Sequence, residues 1–232
     1  MALKTLVIYT LLVGNTKYFD VPRLMRNREK YAAKYGLDHF VQTDVKIDNA
    51  TMRYSWQKLW DAEELLEKYQ WVWLLDADAY IMNGEISILS TIGEYSNYDV
   101  DILVASDKSS INTGSVLIRR SPYSFQALEK MRNLTSDTDF AEKIYKENPW
   151  IKDHDCFISE QDAMIEIMRT DFLNSSIHIR TIPHHLLNSY TWHHLGTEFQ
   201  RGDFVLHAPG QSKDDAPFSL EKFMAKHNLF EF

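Results

Sequence analysis

A run of apolar residues that stops at two carboxylates constrains the fold of this chain more than any other stretch. Residues 70–83 read QWVWLLDADAYIMN, so the apolar residues 71–75 lead directly into Asp76 and Asp78. A short apolar run rich in aromatic residues is typical of a strand buried on both faces. Carboxylates at the end of such a strand need a partner, because an uncompensated buried charge is costly. A divalent cation would suit two Asp side chains that flank one small residue, and a solvated turn is the alternative.

Length and composition favour a single α/β domain over residues 1–232. A chain of 232 residues, of which 44% are hydrophobic, is long enough to bury a large core. No repeat, Pro- or Gly-rich tract or block of like charge marks a linker. The net charge of −8 argues against a nucleic acid partner, since that binding depends on Lys and Arg at phosphates. An anionic ligand would therefore need a metal ion or a local cluster of donors.

The apolar run from Leu6 to Gly14 is interpreted as the first strand. It is too short to cross a bilayer, and no small-residue cleavage site follows it. The sequence therefore predicts no integral membrane segment. Because Met1 lies so close to the first strand, we expect a cytoplasmic or otherwise soluble protein, and a Golgi lumen location only if an N-terminal anchor has been trimmed.

The first half of the chain alternates strands and helices. A helix is predicted from Asp20, with Pro22 in its first turn, to Gly36, and it is followed by a strand at residues 39–42. Apolar residues at helical spacing over 53–69 predict a second helix before the Trp71 strand. This order predicts right-handed crossovers and a mostly parallel sheet, in which ligands bind beyond the carboxyl ends of the strands.

The second half is less regular. Strands are predicted at residues 101–105, 177–182 and 203–207, and a further strand at 115–118 is introduced by Asn112-Thr113-Gly114. Helices are predicted at residues 121–133 and 139–148, at 163–168 after the capping box Ser159-Glu160-Gln161-Asp162, and at 220–227.

Four polar segments fall at predicted ends of strands and helices. They are Asp76/Asp78, Asn112-Thr113-Gly114, Glu160-Gln161-Asp162 and His207-Ala208-Pro209-Gly210. Each alone is compatible with a turn, a helix cap or a satisfied histidine. Their shared placement is typical of an α/β site, and an imidazole is a reasonable third ligand beside two carboxylates for a manganese-like ion.

Taken in order, these and other segments resemble glycosyltransferase family 34, the fungal galactosyltransferases and plant xyloglucan xylosyltransferases. A more distant resemblance is to the family 8 retaining glycosyltransferases. The matching segments are residues 27–36, 56–59, 75–83, 112–119, 160–163 and 202–207.

The resemblance implies a GT-A fold, a Rossmann-like nucleotide-binding α/β/α sandwich. It implies that Asp76, Asp78 and His207 bind Mn²⁺, with Mg²⁺ as a substitute, and that the ion bridges the phosphates of a UDP-sugar. Residues near the donor in the family match Lys58, Asn112, Gly210 and Lys213. Lys213 follows His207 by six residues where we expect five.

The resemblance also implies transfer with retention of anomeric configuration, for which we prefer a front-face mechanism. Gln161 would lie under the anomeric carbon, and Glu160 and Asp162 near the sugar hydroxyls or the acceptor. The family often has Asp where this chain has Glu160. Asp162 as a nucleophile stays open, because an amide is a poor nucleophile.

We expect the donor to be UDP-galactose, UDP-glucose or UDP-xylose and the acceptor to be an oligosaccharide or other glycan. One alternative is a mannosyltransferase of the same fold that uses GDP-mannose. Another is a metal-dependent phosphohydrolase, for which a late motif and Tyr80 in place of Thr are unfavourable. A third is a binding module for nucleotide sugars without catalysis. The sequence predicts no oligomeric state.

Overall fold

The computed structural model describes residues 3–13, 20–47, 53–106, 110–149, 158–191 and 197–209, together with Phe223. Within these ranges the strands are β1 Lys4–Leu11, β2 Asp38–Gln42, β3 Tyr69–Leu75, β4 Ala79–Ile81, β5 Ile102–Ser106, β6 Ile111–Arg119, β7 Ile179–Ile182, β8 Ser189–Tyr190 and β9 Val205–His207. The α-helices are α1 Val21–Tyr35, α2 Gln57–Leu66, α3 Ile88–Tyr95, α4 Pro122–Asn133, α5 Thr138–Glu147, α6 Glu160–Arg169 and α7 Ser175–His178.

The central sheet has the strand order β2-β1-β3-β6-β5-β7. Strand β1 is parallel to β2 and β3, and β5 is parallel to β7. Strand β6 alone runs antiparallel to its neighbours β3 and β5. The predicted α/β fold with a mostly parallel sheet is therefore confirmed. A small second sheet has the order β4-β9-β8.

Alternating residues of the central strands build a core on each face of the sheet. Val7 and Val72 face one cluster, which is completed by apolar residues of α2, α4, α5 and α6. Ile8 and Trp73 face the other, which is completed by α1, α3 and β4. Both faces of β1 and β3 are therefore covered, as expected for a parallel sheet between two helical layers.

Helix α1 has the boundaries that its sequence predicts. The Asp20 side chain accepts a hydrogen bond from the Arg23 N–H at 3.0 Å, and Gly36 ends the helix with φ +63°. A left-handed backbone of this kind costs glycine little, because glycine has no Cβ.

Several predicted elements need correction. The strand predicted at 115–118 begins earlier, at Ile111, so residues 112–114 lie within β6, where Asn112 pairs with Ala105 of β5. The helix predicted to Tyr69 ends at Leu66, since Tyr69 already pairs with Lys4 of β1. The strand predicted at 177–182 begins only at Ile179, after the short helix α7.

Four elements, β4, α3, α7 and β8, were not predicted from the sequence, and one prediction is untested. Strand β4 and helix α3 follow the Asp76/Asp78 pair, in a stretch where short apolar runs give no clear period. The helix predicted at 220–227 lies outside the described residues, apart from Phe223. Among the helices that the structure describes, none combines the length and apolar character needed to cross a membrane.

Candidate active site

The candidate site forms where the antiparallel β6 lies beside β3. Because β6 runs in the opposite direction, its first residues meet the carboxyl end of β3, and Leu75 pairs with Ser115. The Asp76 N–H donates to the carbonyl of Gly114 at 2.8 Å. The register of these two strands therefore places Asp76 next to the residues that the sequence predicts for sugar binding.

The second sheet brings His207 to the same place. Strand β4 begins immediately after Asp78, and Ala79 pairs with His207 in the antiparallel pair β4–β9. The Ala208 N–H donates to the Asp78 carbonyl at 3.0 Å. A residue 129 positions after Asp78 is thus held against it by strand pairing.

Asp76, Asp78 and His207, named here the ligand cluster, offer one ligand atom each, and these atoms lie within 4.8 Å of one another. The His207 Nε2 lies 3.1 Å from the Asp78 Oδ1. The Nδ1 atom of the same ring is buried and has no hydrogen-bond partner among the described residues. Two carboxylate oxygens and an imidazole nitrogen form a donor set that suits Mn²⁺ and related divalent ions.

Gly114 makes room for the His207 ring. A Cβ atom at position 114 would lie 2.2 Å from the His207 Cε1 atom and 2.7 Å from each ring nitrogen. A side chain at this position therefore cannot coexist with the observed ring. The only sequence signal for this close approach is the presence of a glycine next to the start of a predicted strand.

Lys58 joins the ligand cluster to helix α6. Its ammonium group lies 2.7 Å from the Asp76 Oδ1, 2.6 Å from the Glu160 Oε1 and 3.4 Å from the Thr113 carbonyl. The Lys58 side chain is 2% exposed, against 32% for Asp76. Burial acts to lower the pKa of Lys58, but Asp76 and Glu160 outweigh it and raise this pKa, so the lysine is charged.

The carboxylates respond in different ways. Burial raises the pKa of Asp76, with Lys58 acting in the opposite direction. Burial also acts to raise the pKa of Asp78 and Glu160, but His207 lowers the first and Lys58 the second, so both end below their usual values. A bound cation would favour the charged form of Asp76 as well.

Gln161 and Asp162 lie in the first turn of α6. The Thr113 N–H donates to the Gln161 Oε1 at 3.1 Å, which ties the side-chain amide to β6. The Asp162 Oδ2 accepts from the Ser159 N–H at 2.7 Å and from the Ser159 hydroxyl at 2.8 Å. Asp162 therefore takes part in the predicted capping box, and both residues lie partly exposed.

Glu160 lies deeper than its neighbours. It is buried, and its Oε1 accepts from the Thr113 hydroxyl at 3.1 Å besides binding Lys58. Asn112 is partly exposed, and its Oδ1 accepts from the Gly114 N–H at 2.8 Å. Gly210 and Lys213 lie outside the described residues, so their predicted contacts with the donor stay predictions.

The sequence did not identify Arg28 as a residue of the site. Its guanidinium is fully buried and donates to the carbonyl groups of Asp76 and Ala79. A signal for it exists in the helical spacing, since Arg28 lies four residues after Leu24 and three before Tyr31, on the apolar stripe of α1. A charged residue in such a stripe needs buried polar partners.

Solved structures with a similar fold are glycosyltransferases. A glycosyltransferase involved in the glycosylation of the major capsid of PBCV-1 aligns with a TM-score of 0.65 at 15% identity, over 97% of this chain and 100% of that chain. The apo form of mouse xyloside xylosyltransferase 1 aligns with a TM-score of 0.51 at 9% identity, over 90% of this chain and 98% of that one. The fold is therefore the GT-A fold of glycosyltransferases.

The sequence comparison gives the family. The galactosyl transferase GMA12/MNN10 family, glycosyltransferase family 34, matches residues 12–97 and 91–213. The chain belongs to this family, and the resemblance found in its motifs is confirmed.

Relatives in Schizosaccharomyces pombe include the probable alpha-1,2-galactosyltransferase gmh2, 23% identical over 90% of this chain and 67% of the relative. An alpha-1,2-galactosyltransferase is 23% identical over 81% of this chain and 55% of its own length. The chain thus spans between about half and two thirds of the length of these relatives.

Proposed function

We propose that this protein is a metal-dependent retaining glycosyltransferase that transfers galactose from UDP-galactose to a hydroxyl group of a glycan. The observation that carries the proposal is the ligand cluster at the carboxyl end of β3, with Gln161 held beside it through Thr113. Membership of a galactosyl transferase family supports the choice of sugar. UDP-glucose, UDP-xylose and GDP-mannose are the other donors to be tested.

The proposed metal site fits a divalent cation by its chemistry. Its ligands are hard oxygen atoms and one imidazole, and a buried ring nitrogen of His207 has no partner among the described residues. When bound, Mn²⁺ would supply the positive charge that a diphosphate leaving group needs in an acidic protein. Asp76, Asp78 and His207 would hold it.

Lys58 is assigned to the carboxylates and not to the donor. Its three hydrogen-bond donors face Asp76, Glu160 and the Thr113 carbonyl, and the side chain is almost wholly buried. We infer that it keeps Asp76 oriented and compensates the charge of Glu160. Glu160 in turn fixes the start of α6, so its role is to position Gln161, with no contact to the sugar.

In the proposed reaction, the bond between the anomeric carbon and the diphosphate oxygen breaks while a bond from the acceptor oxygen forms on the same face. The acceptor proton passes to the departing diphosphate oxygen, so that no protein base is required. The amide of Gln161 would lie under the anomeric carbon and stabilise the positive charge that develops there. The capping hydrogen bonds of Asp162 leave this carboxylate poorly placed to act as a nucleophile.

Retention of configuration follows if this chain forms the linkage that its relatives are named for. The galactose of UDP-galactose is α-linked, and an alpha-1,2-galactosyltransferase makes an α-linkage. A product with the configuration of the donor requires either a same-face transfer or two successive inversions.

The test is release of UDP or GDP from each candidate nucleotide sugar with Mn²⁺, with and without a panel of oligosaccharide acceptors. We expect acceptor-dependent release of UDP from UDP-galactose, loss of activity with a chelator, and an α-linked product by NMR. No nucleotide release from any donor would refute transferase activity. A β-linked product would refute retention while leaving transferase activity intact.

A further inference from the structure

Arg28 is a cation buried directly behind the ligand cluster. The residue lies on the buried face of α1 and is 0% exposed. One terminal nitrogen of its guanidinium donates to the Thr10 hydroxyl on β1. The other donates to the carbonyl of Asp76 and, at 3.1 Å, to the carbonyl of Ala79.

The hydrogen-bond partners of Arg28 are uncharged. Among the described residues, its terminal nitrogens bind one hydroxyl and two carbonyl groups, and its Nε has no hydrogen-bond partner. Burial lowers the pKa of Arg28 to about 10, so the guanidinium is still protonated near neutral pH. The charges of Asp76 and Asp78 act to raise this pKa, but neither carboxylate forms a hydrogen bond with the guanidinium. Burying a cation without a hydrogen-bonded anion is unfavourable, so the position of Arg28 calls for an explanation other than a structural ion pair.

The two carbonyl groups lie at the two ends of a tight turn. The Ala79 N–H donates to the Asp76 carbonyl at 3.0 Å, which closes the turn that carries both aspartates. Arg28 then bridges the first and the last carbonyl of this turn. Because a guanidinium is planar and rigid, it fixes the separation of the groups that it binds. The backbone from which Asp76 and Asp78 project is thus clamped from within the protein.

The preceding residue extends the same contact along β4. The Asn27 amide donates to the Ile81 carbonyl at 2.7 Å and accepts from the Ile81 N–H at 3.0 Å. The Asn27 side chain thus pairs with the backbone N–H and C=O of this edge of β4, as a neighbouring strand would. The opposite edge of β4 pairs with β9, which carries His207. Residues 27 and 28 therefore hold residues 76–81, the segment that carries Asp76 and Asp78 and pairs with the strand of His207.

We propose that Arg28 is a positioning residue, which clamps the Asp76–Ala79 turn and thereby sets the geometry of the two carboxylates for a divalent cation. The clamp itself is independent of any reaction. Its consequence for cation binding rests on the function proposed above.

The substitution Arg28→Lys separates geometry from charge, because lysine keeps the positive charge but cannot bridge two carbonyls and a hydroxyl with a planar fork. In the metal-free protein, we expect faster amide hydrogen exchange over residues 76–82. With Mn²⁺ followed by electron paramagnetic resonance, we expect an affinity weaker by about 10- to 100-fold, the usual effect of losing a residue that orients a metal ligand.

The matched control is Arg132→Lys. Arg132 is also mostly buried, with 14% exposure, and its ion pair is with Glu63 and not with a member of the ligand cluster. It should change neither the exchange of residues 76–82 nor the Mn²⁺ affinity. If Arg28→Lys fails to fold, Thr10→Val removes one acceptor of the clamp without changing the charge, and smaller changes in the same direction are expected.

Unchanged exchange over residues 76–82 in a folded Arg28→Lys or Thr10→Val variant would overturn the clamp. Faster exchange with unchanged Mn²⁺ affinity would overturn its role in cation binding. Because the exchange is measured without metal or donor, it remains informative even if no nucleotide sugar is cleaved. A failure of the clamp and a failure of the proposed function can therefore be told apart.

Discussion

His39 shows how a residue away from the chemistry is coupled to the site through hydrogen bonds. Its Nε2 lies 2.9 Å from the Thr10 hydroxyl, which accepts from Arg28. The hydroxyl proton is therefore available to a neutral His39. Burial and the nearby Arg28 lower the pKa of His39 from 6.5 to about 4. His39 is therefore neutral in the folded protein near pH 7.

The sign of this pKa shift predicts a loss of stability in acid. Because the folded pKa lies below the unfolded one, the unfolded state binds a proton first as the pH falls below about 6.5. The free energy of unfolding should fall between about pH 6.5 and 4, by about 1 to 3 kcal/mol for this residue alone. His39→Gln lacks this titration. Denaturant unfolding at pH 7 and pH 4 should show that the wild type loses more stability than the variant over this range. An equal stability difference between the two proteins at both pH values would contradict the pKa shift.

Gly114 is the second residue on which the geometry depends. Gly114→Ala forces the His207 ring to move, because its Cβ would lie 2.2 Å from the ring. We expect Mn²⁺ affinity to fall by about tenfold or more, with a stability cost of about 1 to 3 kcal/mol. Titration calorimetry and thermal unfolding would measure these two effects.

The control is Gly93→Ala on the exposed side of α3, where a Cβ meets no atom within 4 Å. It should leave Mn²⁺ affinity unchanged and stabilise the helix by up to about 1 kcal/mol. Equal Mn²⁺ affinity in the Gly114 and Gly93 variants would mean that His207 is not a ligand.

At the scale of elements, the sequence predicted the helices and strands whose ends and periodicity are set by residues close together in the chain. Helix α1 has an Asp cap, a Pro in its first turn and a Gly at its end, and β3 is a continuous apolar run. Strand β4 could not be predicted, because its three residues are stabilised by pairing with β9, more than 120 positions later. The strand predicted at 115–118 was too short for the same reason, since Asn112 is held in β6 by pairing with β5.

The first turn of α6 gives a test of Asp162. Asp162→Asn keeps an oxygen that can accept from Ser159, so the rate of transfer should fall by less than about tenfold. Asp162→Ala should lower stability by about 1 kcal/mol and also slow transfer, because the turn carries Gln161. These rates and stabilities are measured with the UDP-release assay and thermal unfolding.

Asp137→Ala is the matched control, because the Asp137 Oδ1 caps α5 by accepting from the Phe140 N–H at 2.9 Å. It should cost similar stability without slowing transfer. Near-complete loss of activity in a stable Asp162→Asn protein would instead indicate a nucleophile.

At the scale of the whole molecule, the site joins parts of the chain that are distant in sequence. Lys58 comes from α2, Glu160 from α6 and His207 from the second sheet, and all meet at the carboxyl end of β3. The sequence predicted the members of the ligand cluster from residue type and order. It could not predict the contacts of Arg28, Thr113 and Gly114, because these depend on the register of strands and on helix packing.

The proposed ligands of the cation come from both sheets. A bound cation with its nucleotide should therefore stabilise the entire fold. The most direct test compares the melting temperature of the wild type with those of Asp78→Asn and His207→Ala, each with Mn²⁺, with UDP and with both. We predict that Mn²⁺ and UDP together raise the melting temperature of the wild type by more than the sum of their separate effects, and that neither variant shows this excess. An undiminished excess in both variants would contradict a metal site at Asp76, Asp78 and His207.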